Sequence, residues 1–311
     1  MKLNLYIILS LFLFVLGPSQ ITWSQEEPVK LPKQQIEFRH DNDFVLLTDE
    51  YYSSGLWLTY RRRLASGIFT KGREQLTFQL SQEAHTPSDI DTRELRKIDR
   101  PYAGFSGLSS QWSISGDHSL LEVKALIGLT GPSSGAGAFQ RWHHRNVVLV
   151  SVPTWFTEIE DSFHANLEVS YAAEWQLAPV PFGVWFALQP RVAYGTRDIF
   201  VQPEFIASFG RRNPIGSTIA YNQVGAIDRE VYFSLRFGVR YVGHNALLEG
   251  NLLGDNSLYT IEPKNRVTHI GFDFRHRSGK NDYTLGYRYN SKEAEVMDSH
   301  RYLILAFARS F

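Results

Sequence analysis

The sequence predicts an all-β protein, a transmembrane antiparallel β-barrel of about twelve strands with a short helix in one strand-end loop. Three observations carry this expectation. Apolar and polar residues alternate with a period of two through segments of about ten residues, the length a tilted strand needs to cross a bilayer. Aromatic residues make up 14% of the chain, and many sit near the ends of these segments, where membrane barrels place their interfacial girdles. The final segment, His300 to Phe311, keeps the alternation up to its last residue. Strands with one lipid-facing side have to close into a barrel, because an open sheet edge in lipid leaves its N–H and C=O groups unpaired.

At the N-terminus, Met1-Lys2, the apolar run Leu3 to Leu16 and the break at Gly17-Pro18 predict a secretory signal peptide over residues 1–24. The run is shorter than the ~20 residues of a spanning helix, so residues 25–311 are expected to form the barrel domain. Strand centres are expected near Phe38, Leu58, Phe78, Leu108, Val123, Val169, Ala187, Phe205, Leu235, Phe272, Leu285 and Leu305. In Leu121 to Leu129 the apolar Leu121, Val123, Ala125, Ile127 and Leu129 alternate with Glu122 and Lys124, and Val231 to Tyr241 repeats the pattern around Arg236 and Arg240. Two stretches, Gly195 to Gly210 and Tyr259 to Arg275, are ambiguous, and Gly243 to Ser257 reads as a long hairpin loop. Arg61-Arg62-Arg63 reads as a solvated or headgroup-contacting strand end, and Tyr51-Tyr52 as interfacial anchors. Trp57, Tyr60, Trp112, Trp175, Trp185, Tyr241, Tyr287 and Tyr289 are expected in the girdles. A strand ending in a C-terminal phenylalanine is similar to the terminal signal of bacterial outer-membrane barrels.

Composition removes several function classes. The absence of cysteine excludes disulfides, thiolate metal sites and a cysteine nucleophile. A net charge of zero gives no field for nucleic acid. There is no G-x-S-x-G elbow, which weakens an ordinary serine esterase reading.

Two places concentrate chemistry. Asp41, Asn42, Asp43, Asp49 and Glu50 crowd carboxylate and amide oxygens at the end of the first strand, as an oxygen-ligand site would, although an Asn-Asp pair there is also ordinary turn chemistry. Between Gly131 and Arg145 the strand rhythm stops. A turn at Gly131-Pro132, with Ser133 or Ser134 available for capping, leads into a helical stretch in which Gln140 and His144, four apart, share a face. His143 and His144 also fit a pair of rim histidines, and Asp99-Arg100 reads as a structural ion pair in a tight turn.

Three blocks then come in order: Asn42-Asp43 with Tyr52-Ser53-Ser54-Gly55; Asp99-Arg100-Pro101-Tyr102-Ala103-Gly104; and Gly131-Pro132 leading to Gln140 and His144-Arg145. In this combination the chain resembles the outer-membrane lipid A 3'-O-deacylases, over nearly the whole mature sequence. The resemblance implies a twelve-stranded, calcium-dependent hydrolase acting on an ester-linked acyl chain of lipid A in lipopolysaccharide, among the lipids of the bacterial outer membrane. By position it implies Asn42 and Asp43 at the catalytic and calcium site, with Asp43 a metal ligand. It also implies Ser53 where a family member has a functional Thr, His144 as general base and Gln140 as a polar neighbour in the cleft. Calcium would polarise the ester carbonyl, so that no serine nucleophile is required. One departure stands out: the family's site Lys precedes Asp99-Arg100, whereas Thr86 to Leu95 contains Arg93 and no Lys, and a planar guanidinium does not replace a compact ammonium. Two rival readings are a passive pore or binding barrel without activity, and an outer-membrane phospholipase with a serine nucleophile.

Overall fold

The computed structural model describes residues 31–43 and 50–311, so the expected signal peptide and Asp49 lie outside the described residues. The strands are β1 (Gln34–Asn42), β2 (Tyr51–Leu64), β3 (Glu74–Thr86), β4 (Ala103–Ser115), β5 (Ser119–Thr130), β6 (Ser162–Ala178), β7 (Gly183–Leu188) and β8 (Arg191–Gly195). They continue with β9 (Asp198–Gln202), β10 (Glu204–Arg211), β11 (Glu230–Asn245), β12 (Arg266–Ser278), β13 (Asn281–Asn290) and β14 (His300–Ser310). Neighbours pair antiparallel around the ring, and β14 returns to β1 with Phe38 opposite Phe307, which closes the sheet.

These segments form twelve staves, the expected number. β7 and β8 both pair with β6 and are one stave broken at Gln189-Pro190; β9 and β10 both pair with β11 and are one stave broken at Pro203. Proline has no N–H to give to a ladder, so each break falls where the sequence removes a donor. All twelve expected strand centres lie within strands. Alternation assigns the faces: Phe38, Leu58, Leu80, Leu108, Leu167, Leu235 and Phe272 are exposed on the outside, whereas Asp41, Thr59, Arg61, Glu174, Asp273 and Arg277 are buried inside.

The lumen holds paired charges. Arg236 bridges Glu204 and Asp273, Arg288 joins Asp273 at 2.8 Å, Arg197 meets Glu83 at 2.7 Å, and Arg61 meets Glu37 at 3.0 Å. At the end where β1 begins and β14 ends, residues 212–229 turn inward and stop the bore. Their carbonyls at Gly216 and Val224 accept from Arg63, and the carbonyl of Asn222 accepts from Gln75. Tyr221 donates to Glu174 from across the lumen, and Ile215 and Tyr221 pack on Leu120 and Ala172. Arg277 fastens this segment through Glu230, Asp282 and the carbonyl of Ser217. The opposite end carries the two longest connections among the described residues, 131–161 and 246–265, together with 87–102, as the extracellular end of such barrels does.

Four expectations are corrected here. Arg61 and Arg63 point inward to Glu37 and to the inturned segment, so strand parity, not solvation, decides their role. Tyr51 is buried with its hydroxyl on Asp99, and the Tyr52 ring packs on Tyr302 and His85, so neither is an interfacial anchor. Trp57 and Trp185 face the lumen, under the guanidinium groups of Arg39 and Arg212. The connection after β11 is not purely loop, since Asn245 caps one helical turn, Ala246–Glu249. Breaking a buried ion pair by removing one partner costs roughly 3–5 kcal/mol. Arg277→Ala is therefore expected to loosen residues 212–229 and open ion conductance in planar bilayers where the wild type shows none; an equally silent variant would refute the stopper.

Candidate active site

The candidate site forms where the third expected block meets the outer wall. The turn after β5 is tight because Gly131 sits at φ 78°, and a Cβ there would lie 2.6 Å from the backbone nitrogen of Asp161. One 3₁₀ turn follows, then helix α1 (Ala136–His143), then a π-helical turn from His144 to Val148. The N-cap is Gly135, with no side-chain cap bond; Ser134, an expected cap, instead accepts from the Ala136 N–H through its hydroxyl at 3.3 Å. Gln82 and Ser106 both donate to the Ser134 carbonyl, at 3.3 and 2.7 Å. These two face each other across β3 and β4, on the same face as Leu80 and Leu108. Helix α1 therefore lies against the outside of the barrel. Close approach requires Gly104, where a Cβ would stand 2.3 Å from the Ser134 hydroxyl oxygen, and Ala136 packs with Ala84, Tyr102 and Trp155 behind it.

The first block reaches the same wall through an irregularity. Tyr52 pairs with His85 and Ser54 with Ala84, so Ser53 is one extra residue, a bulge. The Ser53 carbonyl accepts from the Asn42 side-chain amide at 3.2 Å, and its hydroxyl accepts from the Gln140 amide at 3.0 Å. Gln140 in turn accepts from the Trp155 indole at 2.8 Å. Asn42, Ser53 and Gln140 thus form one hydrogen-bonded chain linking β1, β2 and α1. Asp43 follows Asn42, is fully buried, and accepts from the Glu50 N–H at 2.8 Å.

One helical turn past Gln140, His144 is buried with its Nδ1 2.6 Å from the Ser151 carbonyl oxygen. A carbonyl only accepts, so Nδ1 carries the hydrogen and, in the neutral ring, the lone pair is on Nε2. That is the tautomer a proton acceptor needs. Neither Ser151 nor Trp155 is readable beforehand: one acts through its backbone, and the other is placed by a left-handed backbone conformation at φ 50°.

Other expected groups stand elsewhere. Asp99 accepts from the Tyr51 hydroxyl and the Ser88 N–H, while Arg100 donates to the Pro101 and Leu247 carbonyls. Both are structural, but not as the ion pair the sequence suggests; burial lowers the Arg100 guanidinium to about 10. Arg93 lies over the Phe156 ring at 5.8 Å. Burial, reinforced by the carboxylates of Asp99 and Asp298, raises the Glu50 carboxyl. Among the described residues no three His, Asp or Glu side chains gather to hold a metal. The donors at hand are the Asp43 carboxylate, the Ser53 hydroxyl and backbone carbonyls, a set that suits a hard, oxygen-loving cation.

A family model described as outer membrane protein LpxR matches residues 7–311. The chain is similar to LpxR from Salmonella typhimurium, at 17% identity and a TM-score of 0.74, over 89% of this chain and 100% of that one. It is similar at a TM-score of 0.41 to KdgM porin, at 7% identity over 89% of this chain and 99% of that one. The Bordetella autotransporter BrkA β domain also gives 0.41, at 10% identity over 90% and 99%. Those two scores are too low to bear on function. No curated protein matches the chain in sequence.

Glu158, whose backbone bridges Tyr102 in this same loop, is lifted to about 7 by burial, against the pull of Arg141 and with the push of Asp161. A carboxyl raised from its ordinary 4.5 favours folding while protonated, and that contribution is lost as pH climbs from there through about 7. Hydrogen-exchange protection of residues 131–161, corrected for intrinsic rates, is expected to fall between pH 5 and pH 8 in the wild type. The fall should be flat in Glu158→Gln; a fall of the same size in the variant would place the titration on another group.

Proposed function

The chain belongs to the LpxR family of outer-membrane proteins, and from that premise we propose that it is a lipid A deacylase that removes the 3'-linked acyl chain by calcium-assisted hydrolysis. The observation that carries this reading is the position of Asn42, Ser53, Gln140 and His144 on the outer wall of the barrel, not in its lumen. A site at the seam between a helix and a lipid-facing wall can be reached by a lipid moving sideways in the leaflet, with its chains kept out of water. A stopped, charge-filled bore offers no comparable path, which disfavours the pore.

In the proposed reaction, Nε2 of His144 takes a proton from water as the hydroxide oxygen attacks the ester carbonyl. The tetrahedral intermediate collapses to a carboxylic acid and an alkoxide, the imidazolium returns its proton to that alkoxide, and the acid then ionises to solvent. The Ser151 carbonyl holds the ring in the needed tautomer throughout and steadies the cation formed midway. Each side-chain amide carries two hydrogens, so Asn42 and Gln140 can hold Ser53 with one and offer the other to the developing oxyanion. Calcium, held by Asp43 with Ser53 and carbonyl oxygens nearby, would supply positive charge to the carbonyl oxygen. Where the family has Lys, Arg93 is committed to Phe156, so anchoring of the substrate falls to other groups.

Mass spectrometry of lipid A from cells expressing wild type or His144→Ala, with calcium present or chelated, tests the reading. The wild type should shorten lipid A by one acyl chain, and the variant should be slower by about 10²–10⁴-fold. Chelation should silence both. An unchanged lipid A profile with the barrel folded in the membrane would overturn it.

A further inference from the structure

Helix α1 has a second face, and nothing in the chemistry above uses it. Gln140 and His144 point to the barrel, while Phe139 and Trp142, 39% and 52% exposed, point away with ring centroids 5.8 Å apart. The π-turn and its exit continue this surface with exposed Val147, Leu149 and Val150. Leu149 is the most telling. It adopts φ 55°, a left-handed conformation unfavourable for a branched side chain, and the result is a leucine 77% exposed. A helix packed on a soluble domain turns its polar face outward; here the outward face of an eight-residue helix bears two large aromatics.

Continuity identifies the occupant. Because α1 lies on the outside of β3 and β4, its outer face extends the same surface as the exposed Leu58, Leu80 and Leu108 of the lipid-facing band. The exposed Arg145 and Asn146 lie on the same turn, as polar groups do when a helix sits at the level of anionic headgroups with its apolar side lower. We propose that Phe139, Trp142, Val147, Leu149 and Val150 insert among the acyl chains of the outer leaflet and set the depth at which the candidate site behind α1 meets a lipid ester. The insertion follows from the surface alone; its consequence for catalysis rests on the deacylase reading.

Depth can be measured without turnover. The full chain is placed in phosphatidylcholine vesicles whose acyl chains carry bromine, a contact quencher of indole, and the emission of wild type minus Trp142→Phe isolates Trp142. That difference is expected to be about twofold or more weaker than in unbrominated vesicles, as for an aromatic at the chain boundary. Equal intensity in both would overturn the proposal. Loss of quenching together with a cross-linked dimer in the vesicles would give the face to a second copy of the chain. In the second arm, Phe139→Ser with Leu149→Ser is expected to slow hydrolysis of bilayer lipid about tenfold, and Phe139→Leu with Leu149→Met to restore it. Rescue failing while quenching persists would leave the insertion standing and remove its role in presenting the ester. A wild type that inserts but hydrolyses nothing would count against the deacylase alone.

Discussion

Every other feature depends on the pairing of β1 with β14. In hydrocarbon each unpaired N–H or C=O costs several kcal/mol, so the sheet is stable only when its first strand finds its last. Closure fixes what each face of each strand has to be. Outward positions are apolar because they meet lipid, and inward positions are free to carry charge provided that it is paired. Arg236 with Glu204 and Asp273, or Arg277 with Glu230 and Asp282, satisfy that condition side chain by side chain. The pairs lock the bore and leave the lumen with structural work.

The candidate site therefore lies at the wall. A regular ladder offers no backbone group for it, since all are engaged in pairing. The bulge at Ser53 changes this locally by putting one residue outside the register, where its carbonyl and hydroxyl are met by Asn42 and Gln140. Gly104 makes the complementary concession on the neighbouring strands, since any side chain there would hold α1 away from the wall. One inserted residue and one missing Cβ let α1 seat on a lipid-facing surface and bring polar side chains together at the seam.

These facts explain which parts of the molecule were legible in the sequence. The staves were readable because lipid enforces apolar alternation over a full membrane crossing, and even the broken ones showed their centres at Ala187 and Phe205. Parity was harder. Trp185 has a girdle residue's chemistry, but it shares a face with buried Ala187, and Arg61 and Arg63 look like a surface charge run until their common parity with Thr59 puts them inside. At the candidate site, Asn42 and Asp43 stood out by type and Gln140 and His144 by their spacing, while the roles proposed for them came from the resemblance. What holds them did not stand out: the Ser53 bulge, the Ser151 carbonyl and the left-handed Trp155 are backbone events, and backbone conformation at a single residue leaves little trace in residue type.

The position of the candidate site constrains the substrate more tightly than its residues do. An imidazole with its lone pair on Nε2, amide donors and a carboxylate are general equipment for hydrolysing esters, and in an aqueous cleft they would say little about which ester. Here they are set between α1 and the lipid-facing side of the wall, so with α1 inserted as proposed a water-soluble ester would have to leave its solvent to reach them. A lipid already in the leaflet pays no such desolvation and needs only to move sideways. Its ester lies at the boundary between chains and headgroups, the level where Trp142 and Arg145 of the same segment place an aromatic and a charge. Selectivity for a membrane lipid thus follows from where the closed barrel leaves room for a site, before any contact with a particular headgroup is considered.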